Sequence, residues 1–227
     1  MYEVRWHGRG GQGAITAAVL LAEAAHLYEG FEGVAAAPSF GAERRGAPVI
    51  ASTRIDRQPV LRRSQVSQPD IVVVLDETLL DVVDVTKGMR PGGTVVINTA
   101  KTDMNGRFNG SVRLGLADAS AAAQQMRLVV GGSVVVNTAI LGALCRATGI
   151  VSIQNMLQTI QDRFDGHAGN RNAEAARIAY QQTTIHEGTV PFLRQEGTVP
   201  FLRQDAGKRG LSPLPPSPPT SRPRPQE

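Results

Sequence analysis

A glycine-rich segment near the amino terminus has the residue types and the spacing of a phosphate-binding loop. It consists of Gly8, Arg9, Gly10, Gly11, Gln12 and Gly13, and it fits the pattern G-x-G-x-x-G. Because glycine has no Cβ atom, the N–H groups of such a loop can approach a phosphate closely, and a helix that follows adds its positive end. The segment therefore predicts an anion site, with a tight turn that binds no ligand as the alternative.

A second polar segment further along the chain bears on what this loop could hold. A dinucleotide site usually has an acid at the end of its second strand, where it binds the ribose hydroxyls. Here that strand ends without one, and Ser39 and Phe40 lead on to Arg44 and Arg45. Two arginines favour an additional phosphate over a free ribose diol. The pair indicates either the 3′-phospho-ADP part of coenzyme A or NADP, with a salt-bridging pair at the surface or an interface as the alternative.

These segments lie in a chain whose strand-like and helix-like stretches alternate. Continuous apolar runs of Val and Ile indicate strands buried on both faces. Strands are predicted at Val4–His7, Val34–Ala37, Pro48–Ile55, Ile71–Leu75, Thr94–Ile97 and Val112–Leu116. Helices are predicted at Ala14–Leu27, Thr78–Val85, Ala117–Met126, Val135–Ala147, Ile153–Phe164 and Ala173–Gln181. The alternation predicts a three-layer α/β fold with a mostly parallel sheet, in which the first strand, the glycine loop and the first helix form a Rossmann-like unit.

The composition changes near Thr183 and predicts a domain boundary there. Most of the 14 prolines follow this point, and the nonapeptide EGTVPFLRQ occurs twice in succession, at residues 187–195 and 196–204. A proline-rich end cannot bury a core, so we expect residues 183–227 to be a disordered tail and residues 1–182 to be the folded domain. Truncation at about Thr183 should then leave folding intact. The repeat is interpreted as a duplication in a tolerant tail, with a docking segment for a partner as the alternative.

Composition also excludes several classes of function. The single cysteine, Cys145, cannot hold an iron–sulfur cluster or a cysteine-rich zinc site by itself. No apolar run has the length of a membrane span, and Met1–His7 is too polar for a secretory signal, so we expect a cytoplasmic protein. The net charge of +4 gives only weak support for nucleic-acid binding, and the 4% of aromatic residues weakens that interpretation further. His7, at the carboxyl end of the first strand, is interpreted as a packed histidine, with a contact to the ligand as the alternative.

The two N-terminal segments together resemble the gamma subunit of 2-oxoacid:ferredoxin oxidoreductases, the family that includes pyruvate-, ketoisovalerate- and phenylglyoxylate-type enzymes. The resemblance covers residues 2–182. It is carried by RWHGRGGQGA at 5–14, PSFGAERRGAPV at 38–49, PDIVVVLD at 69–76, NTAILGA at 137–143 and NAEAARIAY at 172–180.

The resemblance implies a subunit of a complex of anaerobic metabolism that cleaves a 2-oxoacid oxidatively and forms an acyl-CoA. Thiamine diphosphate and iron–sulfur clusters would belong to the alpha, beta and ferredoxin-like delta subunits, which pass electrons to ferredoxin or to an NAD-linked acceptor. This chain would help to position coenzyme A through residues 8–13, Ser39, Phe40, Arg44 and Arg45. It would hold no metal or covalent cofactor, would contribute no catalytic residue and would be inactive alone.

Two other functions remain open from the residues themselves. The glycine loop and the arginines would also suit a stand-alone NADP-dependent dehydrogenase, although residues 1–182 leave little room for a substrate domain. Alternatively, the chain is a purely architectural subunit whose glycine loop packs against a neighbour. The identity of the 2-oxoacid cannot be read from this chain, because the substrate pocket would lie mostly on other subunits.

Overall fold

The computed structural model describes residues 1–38, 46–62, 64–104, 106–108 and 112–188. After the first strand and the first helix, strands predominate up to Ala117, and most of the described helices follow that residue. The strands are β1 (Tyr2–Arg9), β2 (Gly33–Pro38), β3 (Pro48–Asp56), β4 (Ile71–Val74), β5 (Thr94–Asn98), β6 (Arg113–Ala117), β7 (Val129–Val130), β8 (Ser133–Val134) and β9 (Thr184–His186). The helices are α1 (Ala14–Tyr28), α2 (Ala119–Gln125), α3 (Ala139–Thr148), α4 (Ile153–Arg163) and α5 (Gly166–Gln182), with a 3₁₀-helix at Glu77–Asp81.

Seven of the described strands form one mixed sheet, in the order β2-β3-β1-β4-β5-β6-β9. The neighbours β1–β4, β4–β5 and β5–β6 are parallel, whereas β2–β3, β3–β1 and β6–β9 are antiparallel. Five of these strands therefore run in one direction, and only β3 and β9 run against them. This confirms the predicted α/β fold with a mostly parallel sheet.

The two faces of the sheet are covered differently. Val4 and Trp6 of β1 face the larger apolar core, to which all five α-helices contribute. Val72 and Val74 of β4 face a smaller core, which Leu79 of the 3₁₀-helix and irregular segments complete. Because β4 and β5 are buried on both faces, their sequences are continuously apolar without alternation. The third layer is thus built from a 3₁₀-helix and irregular segments, while the described α-helices share one face.

Three predicted helices are wrong in part, and one of them, predicted from Ala173, begins at Gly166. The segment predicted as a helix at Thr78–Val85 forms only the 3₁₀-helix, because the Asp84 carboxylate accepts hydrogen bonds from the Thr86 amide and hydroxyl and starts a turn. The helix predicted to begin at Val135 begins at Ala139. Before it, Gly131 and Gly132 have φ values of 55° and 78°, and these two positive angles turn the chain into the β7–β8 hairpin.

Close packing of α3 against α5 explains the glycine of the NTAILGA segment. A Cβ atom added to Gly142 would lie 1.8 Å from the carbonyl oxygen of Ala176. Only glycine therefore permits the two helix backbones to approach this closely, and the larger core between helices and sheet depends on that approach.

The described chain extends beyond the predicted boundary at residue 182. The Thr183 hydroxyl donates to the Ala179 carbonyl, and β9 then pairs with β6 at the edge of the sheet. Glu187 forms an ion pair with Arg113 of β6 at 3.0 Å. Backbone pairing of β9 thus continues the fold to the start of the nonapeptide repeat. The predicted disordered tail otherwise lies outside the described residues, and the assignment of residues 183–227 as a separate tail stays a prediction.

Candidate functional site

A cleft of about 1170 Å³ opens at the carboxyl ends of the central strands. From β1 the chain passes to β2 and β3 on one side, and it then returns to β4 on the other side. Parallel sheets bind ligands at such a reversal of strand order, because the loops that leave the two strands diverge and leave a crevice. The cleft is lined there by the glycine loop, by the first turn of α1 and by residues that follow β4, β5 and β6.

The glycine loop has a conformation that side chains would oppose. Gly11 and Gly13 have φ values of 95° and 80°, in the left-handed region that favours glycine. A Cβ atom on Gly13 would lie 2.6 Å from Nδ2 of Asn137, just before α3. At the start of the loop, a Cβ atom on Gly8 would lie 3.2 Å from the Cβ of Ala14. The loop therefore leaves little space for a side chain at Gly8 and none at Gly13.

The amino terminus of α1 faces this cleft with amides that have no partner among the described residues. Its N-cap residue is Gly13, no side chain of the described residues caps it, and its first turn contains no acidic residue. The first intrahelical bond joins the Ala17 amide to the Gly13 carbonyl, so the amides of the preceding first turn have no acceptor within the helix. Ala14, Ile15 and Thr16 of this turn line the cleft. The combination of free N–H groups and the positive helix end is suited to an anion.

The side chains of the loop are fixed by a carboxylate from the neighbouring strand. Asp76, immediately after β4, accepts hydrogen bonds from Arg9 Nε and Gln12 Nε2 through the same oxygen, Oδ2, both at 3.0 Å. Gln12 Oε1 in turn accepts a hydrogen bond from the Arg9 amide at 2.7 Å. The Arg9 guanidinium also donates to the carbonyl of Gly46 and to the hydroxyl of Thr78. Arg9 therefore connects the loop to the segment that follows β4 and to the segment that precedes β3.

The Asp76 carboxylate is charged at neutral pH. Burial raises its pKa, but hydrogen bonds from the Thr78 hydroxyl and amide and from Gln12, together with the charge of Arg9, hold the pKa below its ordinary value. An ion pair with Arg9 at 3.0 Å compensates this charge within the wall of the cleft.

The opposite wall is polar near the sheet and apolar towards its rim. Asn98 at the end of β5 donates to the Leu75 carbonyl and to the Ser120 hydroxyl, so it bridges β4 and the start of α2. Two other carboxylates in this wall have partners of their own: Asp118 caps α2, and Glu77 contacts Thr99 and Lys101. Towards the rim, the β7–β8 hairpin contributes Val130 and Val134. The cleft could thus hold a ligand that has both an anionic and an uncharged part.

The structure brings most of the predicted loop residues to this cleft. Arg9, Gly10, Gly11, Gln12 and Gly13 line it, while Gly8 lies beside Ala14 at the end of β1.

The other four predicted contacts, Ser39, Phe40, Arg44 and Arg45, lie outside the described residues. The residue that follows them, Gly46, exchanges backbone hydrogen bonds with the loop: its amide donates to the Gly10 carbonyl, and the Gly10 amide donates to the Ala47 carbonyl.

His7 and Cys145 do not belong to the cleft. His7 is 4% exposed and lies among Arg5, Asp84 and Val85, on the sheet face away from Trp6. Burial, reinforced by the charge of Arg5, lowers the pKa of the His7 imidazole to about 4. Burial raises the pKa of the Cys145 thiol, which is therefore not a nucleophile. Both residues are interpreted as parts of the packed interior.

Sequence reasoning missed Asp76 and Asn137 as parts of the site. Asp76 could have been found from its position directly after a buried strand, where parallel sheets bind ligands. Asn137 carries no such signal, because its approach to Gly13 depends on how α3 packs against α1. Among the described residues, no group of three His, Cys, Asp or Glu side chains could hold a metal ion. No described helix has the length and apolar character needed to cross a membrane.

Comparisons with known proteins agree on one family. The profile of the family described as pyruvate ferredoxin/flavodoxin oxidoreductase matches residues 3–182. The chain is 50% identical over 190 residues to the pyruvate/ketoisovalerate oxidoreductases common subunit gamma of Thermococcus litoralis, covering 82% of this chain and 100% of that protein. It is also 50% identical over 182 residues to the pyruvate synthase subunit PorC of Methanothermobacter thermautotrophicus, covering 80% of this chain and 96% of that one.

Solved structures share the fold as well. The pyruvate oxidoreductase subunit PORC of Thermotoga maritima is 36% identical, with a TM-score of 0.68, and the match covers 82% of this chain and 98% of that one. The 2-oxoglutarate:ferredoxin oxidoreductase of Magnetococcus marinus, solved with 2-oxoglutarate, coenzyme A and succinyl-CoA bound, is 18% identical with a TM-score of 0.57. That match covers 79% of this chain and 31% of the longer one, and it shows the fold alone. The chain therefore belongs to the pyruvate ferredoxin/flavodoxin oxidoreductase family, as a gamma subunit of a 2-oxoacid:ferredoxin oxidoreductase complex.

Proposed function

We propose that this gamma subunit binds the nucleotide end of coenzyme A in the cleft at the carboxyl edge of its sheet. The observation that carries the proposal is the uncapped amino terminus of α1, which opens into the cleft directly behind the glycine loop. The free amides there would bind a phosphate of the pyrophosphate group, and residues 8–13 would surround it. The role is to orient a reactant, since the chemistry belongs to cofactors on other subunits.

The size of the cleft and its division into an anion-binding side and an apolar side support a ligand such as coenzyme A. Its volume of about 1170 Å³ is somewhat above the range of about 300–1,000 Å³ that is usual for small-molecule sites, which suits a ligand as large as coenzyme A. Phosphates would lie at the glycine loop, and an uncharged arm would pass along Val130 and Val134 of the hairpin. The fold occurs in the Magnetococcus marinus enzyme that was solved with coenzyme A bound, which is consistent with this ligand.

The arginine pair would complete the site by binding the 3′-phosphate. Arg44 and Arg45 directly precede Gly46 in the sequence, and Gly46 is hydrogen bonded to Gly10 of the loop. Arginine presents a planar fork of donors that matches phosphate oxygens, so two of them favour a ligand with an extra phosphate. Ser39 and Phe40, at the start of the same segment, are proposed as further contacts.

The remaining parts of the reaction are assigned to partner subunits. The one cysteine, Cys145, is buried and does not fit an iron–sulfur cluster, and the sequence has no Gly-Asp-Gly motif of a thiamine diphosphate site. We therefore assign thiamine diphosphate to alpha and beta subunits and the clusters to a ferredoxin-like delta subunit of a cytoplasmic complex. In that complex, coenzyme A held here would accept the acyl group of the 2-oxoacid, and electrons would leave to ferredoxin or an NAD-linked acceptor.

Replacing both arginines tests the proposal in the assembled enzyme. Arg44→Ala/Arg45→Ala should raise the KM for coenzyme A roughly ten- to a hundredfold, because a charge-assisted hydrogen bond contributes about 1.5–3 kcal/mol. The KM for the 2-oxoacid should change far less. Dephospho-coenzyme A, which lacks the 3′-phosphate, should bind poorly to the wild type, and the double variant should no longer discriminate between the two ligands.

A matched control removes the same charge elsewhere. Arg57 and Arg62 follow the end of β3, which pairs with the amino-terminal end of β1 and so lies away from the cleft, and the carbonyl of Arg62 accepts a hydrogen bond from Arg54. Arg57→Ala/Arg62→Ala should therefore leave the KM for coenzyme A unchanged. Equal discrimination against dephospho-coenzyme A in wild type and in the Arg44/Arg45 variant would contradict the assignment of the arginines. If substitutions in the arginine pair and in the glycine loop both leave the KM for coenzyme A unchanged, the chain is instead a purely architectural subunit.

A further inference from the structure

We infer that Asp76 is a positioning residue that holds the glycine loop in its anion-binding conformation. The inference rests on the proposed function, because it assigns to the loop the binding of an anion. Asp76 lies outside the loop, two residues beyond the end of β4, and its side chain is 19% exposed. In this positioning role it acts on the ligand through Arg9 and Gln12.

The hydrogen bonds of Asp76 fix both ends of the turn that contains Gly10 and Gly11. Oδ2 accepts from Arg9 before the turn and from Gln12 after it, each at 3.0 Å. The Gln12 side chain, held in this way, accepts from the Arg9 amide. On the other side of the carboxylate, Oδ1 accepts from the amide of Thr78 at 3.0 Å and from its hydroxyl at 2.6 Å. Asp76 is therefore held by the start of the 3₁₀-helix and in turn holds the loop.

The charge of Asp76 by itself opposes the binding of an anion. Asp76 lines the cleft beside the loop, and a carboxylate there repels a phosphate. A role limited to charge predicts that neutralising Asp76 strengthens anion binding. A positioning role predicts the opposite, because the loop amides and the α1 terminus then lose their fixed arrangement. The two roles therefore differ in the sign of the effect.

Asn is the substitution that separates these roles. Asp76→Asn keeps the shape of the side chain but replaces one oxygen with an NH₂ group, which cannot accept a hydrogen bond. That group must face either Arg9 and Gln12 or Thr78, and all of these are donors to Asp76. Asp118→Asn is the matched control: it makes the same charge change in the same cleft, the Asp118 side chain accepts its hydrogen bond from the Ala121 amide, and Asn is an equally good helix cap.

The experiment measures the Kd of coenzyme A in the assembled complex by titration. We expect Asp76→Asn to raise this Kd about tenfold, the lower end for the loss of a charge-assisted hydrogen bond, and Asp118→Asn not to raise it. Gln12→Met removes the hydrogen bonds that Gln12 makes with Asp76 and with the Arg9 amide, and it changes no charge. This variant should also raise the Kd of coenzyme A. An Asp76→Asn complex that binds coenzyme A as tightly as the wild type, or more tightly, would overturn the inference.

Hydrogen exchange of the ligand-free full chain gives a readout that does not depend on the ligand. The Arg9 amide donates to Gln12 Oε1, and the Gly10 amide donates to the Ala47 carbonyl. Both amides should exchange at least several-fold faster in Asp76→Asn than in the wild type or in Asp118→Asn. Unchanged exchange would overturn the positioning role even if the wild type binds coenzyme A. If the wild type does not bind coenzyme A, the proposed function fails, and the exchange rates still decide whether Asp76 orders the loop.

Discussion

Alanine substitutions at Gly11 and Gly13 should separate the cost of a positive φ angle from the cost of a steric clash within the glycine loop. Both residues have positive φ, which costs a residue with a Cβ atom about 1–2 kcal/mol. Alanine also restricts the unfolded chain, which recovers about 0.4–1 kcal/mol. No heavy atom of the described residues lies within 4 Å of a Cβ atom added to Gly11. Gly11→Ala should therefore lower the free energy of unfolding by only about 1 kcal/mol.

Gly13→Ala should be clearly more destabilising because of Asn137. The added Cβ atom would lie 2.6 Å from Nδ2 and 2.9 Å from Cβ of Asn137, distances at which one of the two segments must move. Overpacking of this kind costs about 1–3 kcal/mol, so the total loss should be about 2–4 kcal/mol. That is a large part of the roughly 5–15 kcal/mol that stabilises an ordinary domain.

Denaturant unfolding of the full chain measures both losses, and a double-mutant cycle isolates the contact. In an Asn137→Ala background, the cost of Gly13→Ala should fall by about 1 kcal/mol, since the Nδ2 atom is gone while the Cβ atom remains. Gly11→Ala should cost the same in both backgrounds. Equal losses for Gly11→Ala and Gly13→Ala, or strictly additive effects of Gly13→Ala and Asn137→Ala, would refute the packing argument.

Three further predictions concern other parts of the chain. Folding lowers the pKa of His7 from 6.5 to about 4, so the free energy of unfolding should be highest above pH 6.5 and should fall by up to about 3 kcal/mol as the pH is lowered towards 4. In denaturant melts at a series of pH values, His7→Gln should reduce this dependence on pH. A chain truncated after Gly188 should keep its Tm, whereas truncation at Thr183 should leave a folded chain with a lower Tm because β9 is lost; equal values would mean that β9 contributes no stability. The purified single chain should show no visible absorbance band and no oxidoreductase activity, and a flavin or iron–sulfur spectrum would contradict the assignment of those cofactors to other subunits.

Local sequence determined the elements around the cleft. Continuous Val and Ile runs predicted β4 and β5, because a strand buried on both faces needs apolar residues at every position. The glycine pattern between a strand and an Ala/Leu-rich helix predicted the loop, since positive φ and close approach of the backbone restrict those positions to glycine. These signals lie within a few residues of the structure they specify, and they were sufficient to locate one wall of the site.

Only the tertiary structure decided which distant residues complete that wall. Asp76 is 67 residues from Arg9 in sequence, and their contact exists because β1 and β4 are neighbours in the sheet. Three other features also depend on the tertiary structure. They are the antiparallel position of β3 between β2 and β1, the burial of His7 on the sheet face away from the α-helices, and the approach of Asn137 to Gly13. Strand order and helix packing are set by the burial of apolar surface over the whole domain, and no short stretch of sequence contains that information.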